Sequence, residues 1–286
     1  MFHGLGRLPG EYDIELQPGS RIVQVSHRKV PLSIKEEVIE ERNRLEQEGI
    51  ITPVEKPSEW ISHMQPVRKA NGDIRICIDP QNLNKAIRQN HLAMPTLEDV
   101  LPQLNSARYF SLCDAKSGFQ QVQLSEASSE LTTFWTPKGC YKYLRMPFGI
   151  SSAPEKFQRR LTQTLQGLEG ITVVADDILI FGKDRDSHDK NLRNLLHRAR
   201  SSGLRLNRSK CKFLEPELPY IGHVLTSEGV KADPKKVAAI ALMELLTSAD
   251  GVKRFLGHVT YMTKFIPNLS AEAEPLRRLL QNKPFV

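Results

Sequence analysis

Ile171-Thr172-Val173-Val174-Ala175-Asp176-Asp177-Ile178-Leu179-Ile180-Phe181 places two adjacent carboxylates inside an otherwise apolar, β-branched run. Such a run reads as a strand buried on at least one face. Two charges within it are costly unless something cationic compensates them. The cheapest tip for a strand pair is a Gly or Asn turn, yet the chain puts Asp176 and Asp177 there. A divalent metal accounts for that choice. The dipeptide alone says little, because a chain this charged holds about one such pair by chance. Its apolar frame, and a third aspartate upstream, raise it above chance.

That third aspartate is Asp114, at the end of a short predicted strand, Tyr109 to Cys113. Alone it reads more readily as a helix cap or turn residue. If the two strands are neighbours, however, the three carboxylates converge at one edge of a sheet. Oxygen-only ligation by hard carboxylates suits Mg²⁺, which keeps open positions for phosphate oxygens. Two such ions about 4 Å apart can activate an attacking hydroxyl and stabilise an in-line leaving group.

Around this centre the pattern mixes helices and strands. Residues 1–32 read as an extended lead-in, followed by an amphipathic helix from Ser33 to Gln47. Ser33 is its expected cap, Glu36 the capping-box partner and Gly49 the stop. Trp60 to Ile78 reads as two strands around Ala70-Asn71-Gly72-Asp73, a strong hairpin signal. Gln120 to Leu124 is expected as another strand, and Leu131 to Met146 as a hairpin around Pro137-Lys138-Gly139. Ser152, Pro154 and Glu155 open a helix to about Leu168. Asp186/Ser187 to Ser202 is a helix with Leu192, Leu195, Leu196 and Ala199 on one face, ended by Gly203. Short strands follow over 204–232. Three helical segments, roughly 234–246, 248–265 and 270–282, close the chain. This order suggests α+β with a helical appendage.

With 286 residues, 40% hydrophobic and 26% charged, the chain can hold two or three subdomains. No apolar stretch approaches the roughly 20 residues needed to cross a bilayer. The first ten residues lack a signal-peptide profile. Cysteines 77, 113, 140 and 211 are scattered, which argues against structural zinc and for reduced thiols in an intracellular compartment. Residues 1–182 hold 21 Lys and Arg against 22 Asp and Glu, and residues 183–286 hold 19 against 11. The excess positive charge thus lies in the C-terminal part, as expected of a grip on a polyanion or of a solvated basic face.

Three stretches then resemble consecutive motifs of the reverse transcriptase of Ty3/gypsy-type LTR retrotransposons. They are Phe110-Ser111-Leu112-Cys113-Asp114-Ala115-Lys116-Ser117-Gly118-Phe119-Gln120, Leu144 to Gln158 with Met146-Pro147-Phe148-Gly149, and Val174-Ala175-Asp176-Asp177-Ile178-Leu179-Ile180. Asp79 to Lys85, Leu206 to Phe213, Tyr220-Ile221-Gly222-His223, Arg254 to Gly257 and Phe265 to Asn268 continue the pattern. The match is colinear over about residues 10–286.

The resemblance implies a right-hand polymerase of fingers, palm and thumb, with an antiparallel palm sheet backed by helices. It divides the chain into a lead-in (1–54), fingers (about 55–90 and 120–152), palm (about 91–119 and 153–229) and helical thumb with the start of a connection (230–286). It implies an RNA-directed DNA polymerase that extends a primer 3′-hydroxyl with deoxynucleotides, using two Mg²⁺ ions, with Mn²⁺ as a substitute. Asp114, Asp176 and Asp177 would be the catalytic carboxylates and metal ligands, with the Ala115 carbonyl as a further oxygen. Lys69 and Arg75 would bind the triphosphate, with Arg68 competing for the role of Lys69. Phe119 resembles the aromatic gate against a 2′-hydroxyl, and Phe148 would line the nucleotide pocket. Val174, Ile221 and Gly222 would touch primer or template.

The family context adds RNase H and integrase regions, a virus-like particle and a cytoplasmic or nuclear setting. Some positions depart from the pattern. Val174 replaces the usual tyrosine, Trp135, Lys138 and Cys140 are unexpected types, and Ala241 to Leu246 lacks prolines. These keep open a remnant that only binds nucleic acid or a particle partner. A viral RNA polymerase is a second alternative, against which Phe119 speaks.

Overall fold

The computed structural model describes residues 1–88 and 93–280. The expected fingers–palm division near residue 90, the end of the 270–282 helix and the chain end Pro284-Phe285-Val286 lie outside the described residues. In chain order the elements are β1 (Glu11–Tyr12), α1 (Lys35–Gln47), β2 (Ile51–Pro53), β3 (His63–Arg68), β4 (Ile74–Asp79), α2 (Gln81–Ala86), α3 (Leu97–Val100) and β5 (Tyr109–Asp114). Then come β6 (Gln123–Leu124), α4 (Glu126–Leu131), β7 (Phe134–Thr136), β8 (Gly139–Tyr143), α5 (Ala153–Leu165), β9 (Ile171–Val174), β10 (Asp177–Gly182) and α6 (Arg185–Ser201). The C-terminal part holds β11 (Lys212–Phe213), β12 (Glu217–Tyr220), β13 (His223–Thr226), β14 (Gly229–Ala232), α7 (Pro234–Ala241), α8 (Ala249–Tyr261), α9 (Leu269–Glu272) and α10 (Glu274–Leu279).

The central sheet has the order β11-β5-β10-β9, antiparallel throughout. Its two central strands, β5 and β10, are largely buried on both faces, which explains their apolar character, whereas the edge strands β9 and β11 are half-buried or exposed. Ile178 and Ile180 of β10 share a core with Leu195 and Ala199 of α6 and Phe157 and Leu161 of α5. Leu179, with Phe110 and Leu112 of β5, turns to the opposite face and packs on Leu97, Val100, Leu218, Tyr220 and Leu225. Each such side chain contributes about 1.5–3 kcal/mol on burial. That gain offsets the cost of ending both strands in aspartate.

Four smaller sheets accompany this one among the described residues, one of them the parallel β1–β6 pair. The β3–β4 hairpin turns through Asn71-Gly72, as its sequence requires. A three-stranded sheet has the order β2-β8-β7. β2 lies in the 1–54 lead-in, yet it pairs with β8, so the lead-in is built into the same layer. The β12-β13-β14 meander connects the central sheet to the C-terminal helices. Among the described residues no helix is long and apolar enough to cross a membrane.

Several local expectations change. Pro31 accepts the Ile34 amide at 3.2 Å, so a 3₁₀ turn over Leu32–Ile34 precedes α1, and Ser33 is not its cap. The stop at Gly49 holds: the Gly49 and Ile50 amides donate to the carbonyls of Glu46 and Leu45 at 3.0 and 2.9 Å. Ser152 makes no cap bond, because its hydroxyl pairs with that of Tyr12 at 2.9 Å. α6 starts at Arg185, with Asp184 and Ser187 forming its capping box. The strand expected over Gln120 to Leu124 is instead a 3₁₀ turn, Gly118–Gln121, and the short β6. The reason is the buried Gln121 amide, which donates to the carbonyls of Lys116 and Arg205 at 2.7 and 2.9 Å and fixes the turn. α7 ends at Ala241 rather than near 246, and the following Leu242 and Leu245 are 83% and 91% exposed, with no core to hold a helix there.

Candidate active site

The acidic tip is built by strand register. Asp177 lies opposite both Val174 of β9 and Asp114 of β5. The Phe181 amide donates to the Gly170 carbonyl at 2.9 Å, and alternation from that bond makes Asp177–Val174 a hydrogen-bonded pair. On its other edge Asp177 therefore meets Asp114 as a non-hydrogen-bonded pair. That arrangement brings opposing side chains closest, with Cα atoms about 4.5 Å apart. The Asp114 carbonyl accordingly faces away and accepts the Asn207 amide at 2.8 Å.

Ala175 and Asp176 form the two-residue turn between β9 and β10. Of the two, Ala175 alone has positive φ, +54°, the pattern of a type II′ turn. The Ala115 amide donates to the Asp176 carbonyl at 2.9 Å and ties the turn to the end of β5. All three aspartates thus stand where the apolar cover of the sheet ends.

Their electrostatics are strained. Burial pushes the Asp176 carboxyl up to about 6, and the charges of Asp114 and Asp177 add to it. Asp177 is also raised, by burial first and Asp114 second. The nearest compensation is Lys210, whose ammonium donates to Asp114 Oδ2 at 3.0 Å and is largely exposed. Tyr220, whose hydroxyl is buried without a partner among the described residues, is raised by burial and then by Asp177. A set of hard, under-compensated oxygens fits a divalent cation. Among the described residues no three His, Cys, Asp or Glu side chains already form a cage, and Asp114 Oδ2 is engaged by Lys210.

Beside the carboxylates runs an aromatic stack. The Phe119 ring lies 5.1 Å from Phe148 and 5.7 Å from Phe157, and the Arg75 guanidinium sits 4.4 Å over Phe148. Phe148 is held by backbone. Its carbonyl accepts the Ile78 amide at 3.2 Å, and the Asn84 side chain bonds both Gly149 and Ser151. Gly149 has φ +112°, and a Cβ there would lie 2.1 Å from the Ile78 carbonyl oxygen, so only glycine fits. The structure therefore brings Arg75, Phe148 and Phe119 together near Asp176. Lys69 stays at the hairpin tip, 4.0 Å from Asp73, and Arg68 has its fork on Glu37.

Ile221 and Gly222 form the β12–β13 turn, with φ +45° and +70°. The Ile221 carbonyl accepts from Tyr261 at 3.0 Å and His223 Nδ1 at 2.9 Å. Lys236 lies 3.6 Å over the Tyr261 ring. Val174 and Ile221 pack on the same cluster around Tyr220.

The family model for reverse transcriptase (RNA-dependent DNA polymerase) matches residues 67–225. The chain belongs to this reverse transcriptase family. The retrovirus-related Pol polyprotein from transposon opus of Drosophila melanogaster is 36% identical over 254 residues, covering 87% of this chain and 25% of that protein. The transposon Tf2-3 polyprotein of Schizosaccharomyces pombe is 27% identical over 273 residues, covering 95% and 20%. The expected kinship with Ty3/gypsy-type elements holds. The chain spans a quarter or less of these curated relatives. A foamy viral protease–reverse transcriptase in complex with double-stranded DNA superposes with a TM-score of 0.86 at 20% identity, covering 97% of this chain and 48% of that one. Another, in complex with an RNA/DNA hybrid, gives 0.81 at 20% identity, covering 97% and 37%. The fold is that of the right-hand polymerases.

Within this reverse transcriptase domain, three contributors escaped the sequence reading. Lys210 was visible in the Leu206–Phe213 stretch, but its reach to Asp114 depends on β11 pairing with β5. Tyr261 and Gln158 act across 40 and 17 residues of chain; Gln158 closes the Leu144–Gln158 stretch, but its backbone partners are not legible there.

Proposed function

We propose that this reverse transcriptase domain extends a primer 3′-hydroxyl with deoxynucleoside triphosphates on an RNA or DNA template. Mg²⁺, two ions with Mn²⁺ as a substitute, would be held by Asp114, Asp176, Asp177 and the Ala115 carbonyl. The metal supplies a more acidic attacking hydroxyl and charge neutralisation at the leaving group. The observation that carries the reading is the register that sets Asp177 against Asp114 beneath the Asp176 turn.

The chain's own residues supply positioning, which dominates catalysis of this type. Phe119 walls the sugar and excludes a 2′-hydroxyl. Phe148 orders Arg75, whose fork matches phosphate oxygens, and Lys69 adds a second charge from the hairpin. Val174, Ile221 and Gly222 face the primer strand, and the basic helices after 230 follow the duplex backbone without reading sequence. The fingers comprise about 55–90 and 120–152, the palm about 91–119 and 153–229, and the thumb 230 onward. The nucleic acids bound to the foamy viral neighbours support such a partner. In its natural setting the domain works within a polyprotein that also carries RNase H and integrase regions, inside an intracellular particle.

Primer extension on an RNA template tests this: Mg²⁺ supports deoxynucleotide addition and its removal by EDTA abolishes it. Binding of primer–template without any extension would favour the remnant reading instead. Phe119→Ala is expected to raise ribonucleotide incorporation about ten- to a hundredfold, the scale of one lost steric discrimination. Unchanged discrimination removes Phe119 from the gate.

A further inference from the structure

Directly behind the acidic turn lies the side chain of Gln158, in the middle of α5 and 3% exposed. Its Nε2 donates to the Val173 carbonyl at 2.9 Å, and its Oε1 accepts the Ala175 amide at 2.7 Å. Nε2 also reaches Thr162 Oγ1 at 3.2 Å, one turn along the helix.

Both backbone groups need such a partner. β9 is the edge strand of the sheet, and Val173 faces Ile178 as a non-hydrogen-bonded pair, so its carbonyl points away from β10. The Ala175 amide sits in the turn and has no strand opposite it. Ala175 also holds φ +54°, a conformation that costs a residue with a Cβ about 1–2 kcal/mol. Strain of this kind persists only where the surroundings over-determine it. A primary amide offers one donor and one acceptor together, matching a carbonyl and an N–H two residues apart. Glutamate lacks the donor and methionine lacks both.

We propose that Gln158 is a positioning residue that clamps the Val173–Ala175 backbone in its left-handed turn, so that Asp176 is presented to the acidic cluster and cation binding depends on the clamp. The Ala115 amide holds the same turn from the β5 side at the Asp176 carbonyl. With Gln158 removed, Ala175 loses the bond to its own amide, and only the Asp177–Val174 pairing and the Ala115 bond on either side hold the turn. The inference rests on the polymerase reading above and assigns a distinct role to a residue outside the carboxylate set.

The test titrates Mg²⁺ in primer extension by the wild-type chain and by Gln158→Met, which keeps the volume and loses both bonds. Removing a residue that orients metal ligands typically weakens metal affinity about 10–100-fold. The Mg²⁺ concentration for half-maximal rate should therefore rise about tenfold or more, while the KM for primer–template stays unchanged. A purely structural role lowers the active fraction and leaves the Mg²⁺ midpoint where it was. An unmoved midpoint in folded Gln158→Met overturns the proposal. Amide exchange in the wild-type chain gives a second reading that requires no variant. The Ala175 amide should exchange about a hundredfold or more slowly than an unprotected amide, despite lying in an exposed turn. Exchange at the unprotected rate also overturns it. A wild-type chain that never extends primers defeats the polymerase reading, and the Ala175 exchange rate then decides the clamp alone.

Discussion

Two hairpin turns frame the candidate site, and they reach tight geometry by different means. The β12–β13 turn uses Ile221-Gly222, with both central residues at positive φ, as a type I′ turn requires. The β9–β10 turn uses Ala175-Asp176, with only the first at positive φ and no glycine. In the first, Tyr261 and His223 hold the carbonyl of Ile221. In the second, Gln158 holds the amide of Ala175. Each turn thus takes an unfavourable residue at its left-handed position and fixes it with a side chain distant in sequence. They differ in where the cost lies. The β12–β13 turn places its cost in backbone conformation, whereas the β9–β10 turn adds partly buried negative charge, which the proposed cation would relieve.

The largest expected effect separates the turns by chemistry. Asp176→Asn should cut primer extension about a thousandfold or more, because electrostatic positioning is the main catalytic contribution at such sites. Its melting temperature without metal should not fall. Activity close to wild type would place the essential charge elsewhere.

Next comes a pH effect confined to the acidic turn. The Asp176 carboxyl is raised from an ordinary value near 3.8 to about 6 by burial first and then by Asp114 and Asp177. A raised carboxyl favours the folded state fully below its unfolded value, and that contribution is lost as pH rises through the folded one. In metal-free protein, Asp176→Asn should therefore gain stability over wild type between pH 4 and 7. The gain should be about 1–2 kcal/mol after solvent screening, with none at pH 3. Denaturant unfolding at both pH values measures it, and a gain at low pH instead would reverse the sign of the account.

The β12–β13 turn is sharpened by Gly222→Ala. A Cβ there would lie 2.4 Å from the Tyr261 hydroxyl oxygen, at φ +70°. A loss of about 1–2 kcal/mol is expected, with weaker primer–template binding. The smallest effect is the converse, Ala175→Gly, which relieves positive φ and should stabilise the chain by up to about 1 kcal/mol. Should both substitutions destabilise equally, the two turns would not differ as described.

Legibility in the sequence followed the range of the interactions. The β3–β4 hairpin was readable because Asn71-Gly72 encodes its own turn, and the Asp114, Asp176 and Asp177 strands because apolar runs frame them. Register did the rest, since one pairing sets Asp177 against Asp114. Ser33 and Ser152 looked like caps because a local pattern cannot reveal that Pro31 starts a turn early or that Tyr12 claims a hydroxyl 140 positions away. Gln121 and Gln158 were opaque for the same reason. An amide in an apolar helix or turn looks like a surface residue until its buried backbone partners are known. Lys69 and Arg75 were paired by resemblance, yet only Arg75 packs against the aromatic stack.

The central claim is that the tip of the β5–β10 pair holds a divalent cation. Mn²⁺ binding to the chain with primer–template bound, followed by electron paramagnetic resonance, tests it without relying on turnover. The wild-type chain should bind Mn²⁺, and Asp114→Asn should weaken that binding about tenfold or more. Equal binding by the two proteins would contradict the assignment of the aspartates as the metal site.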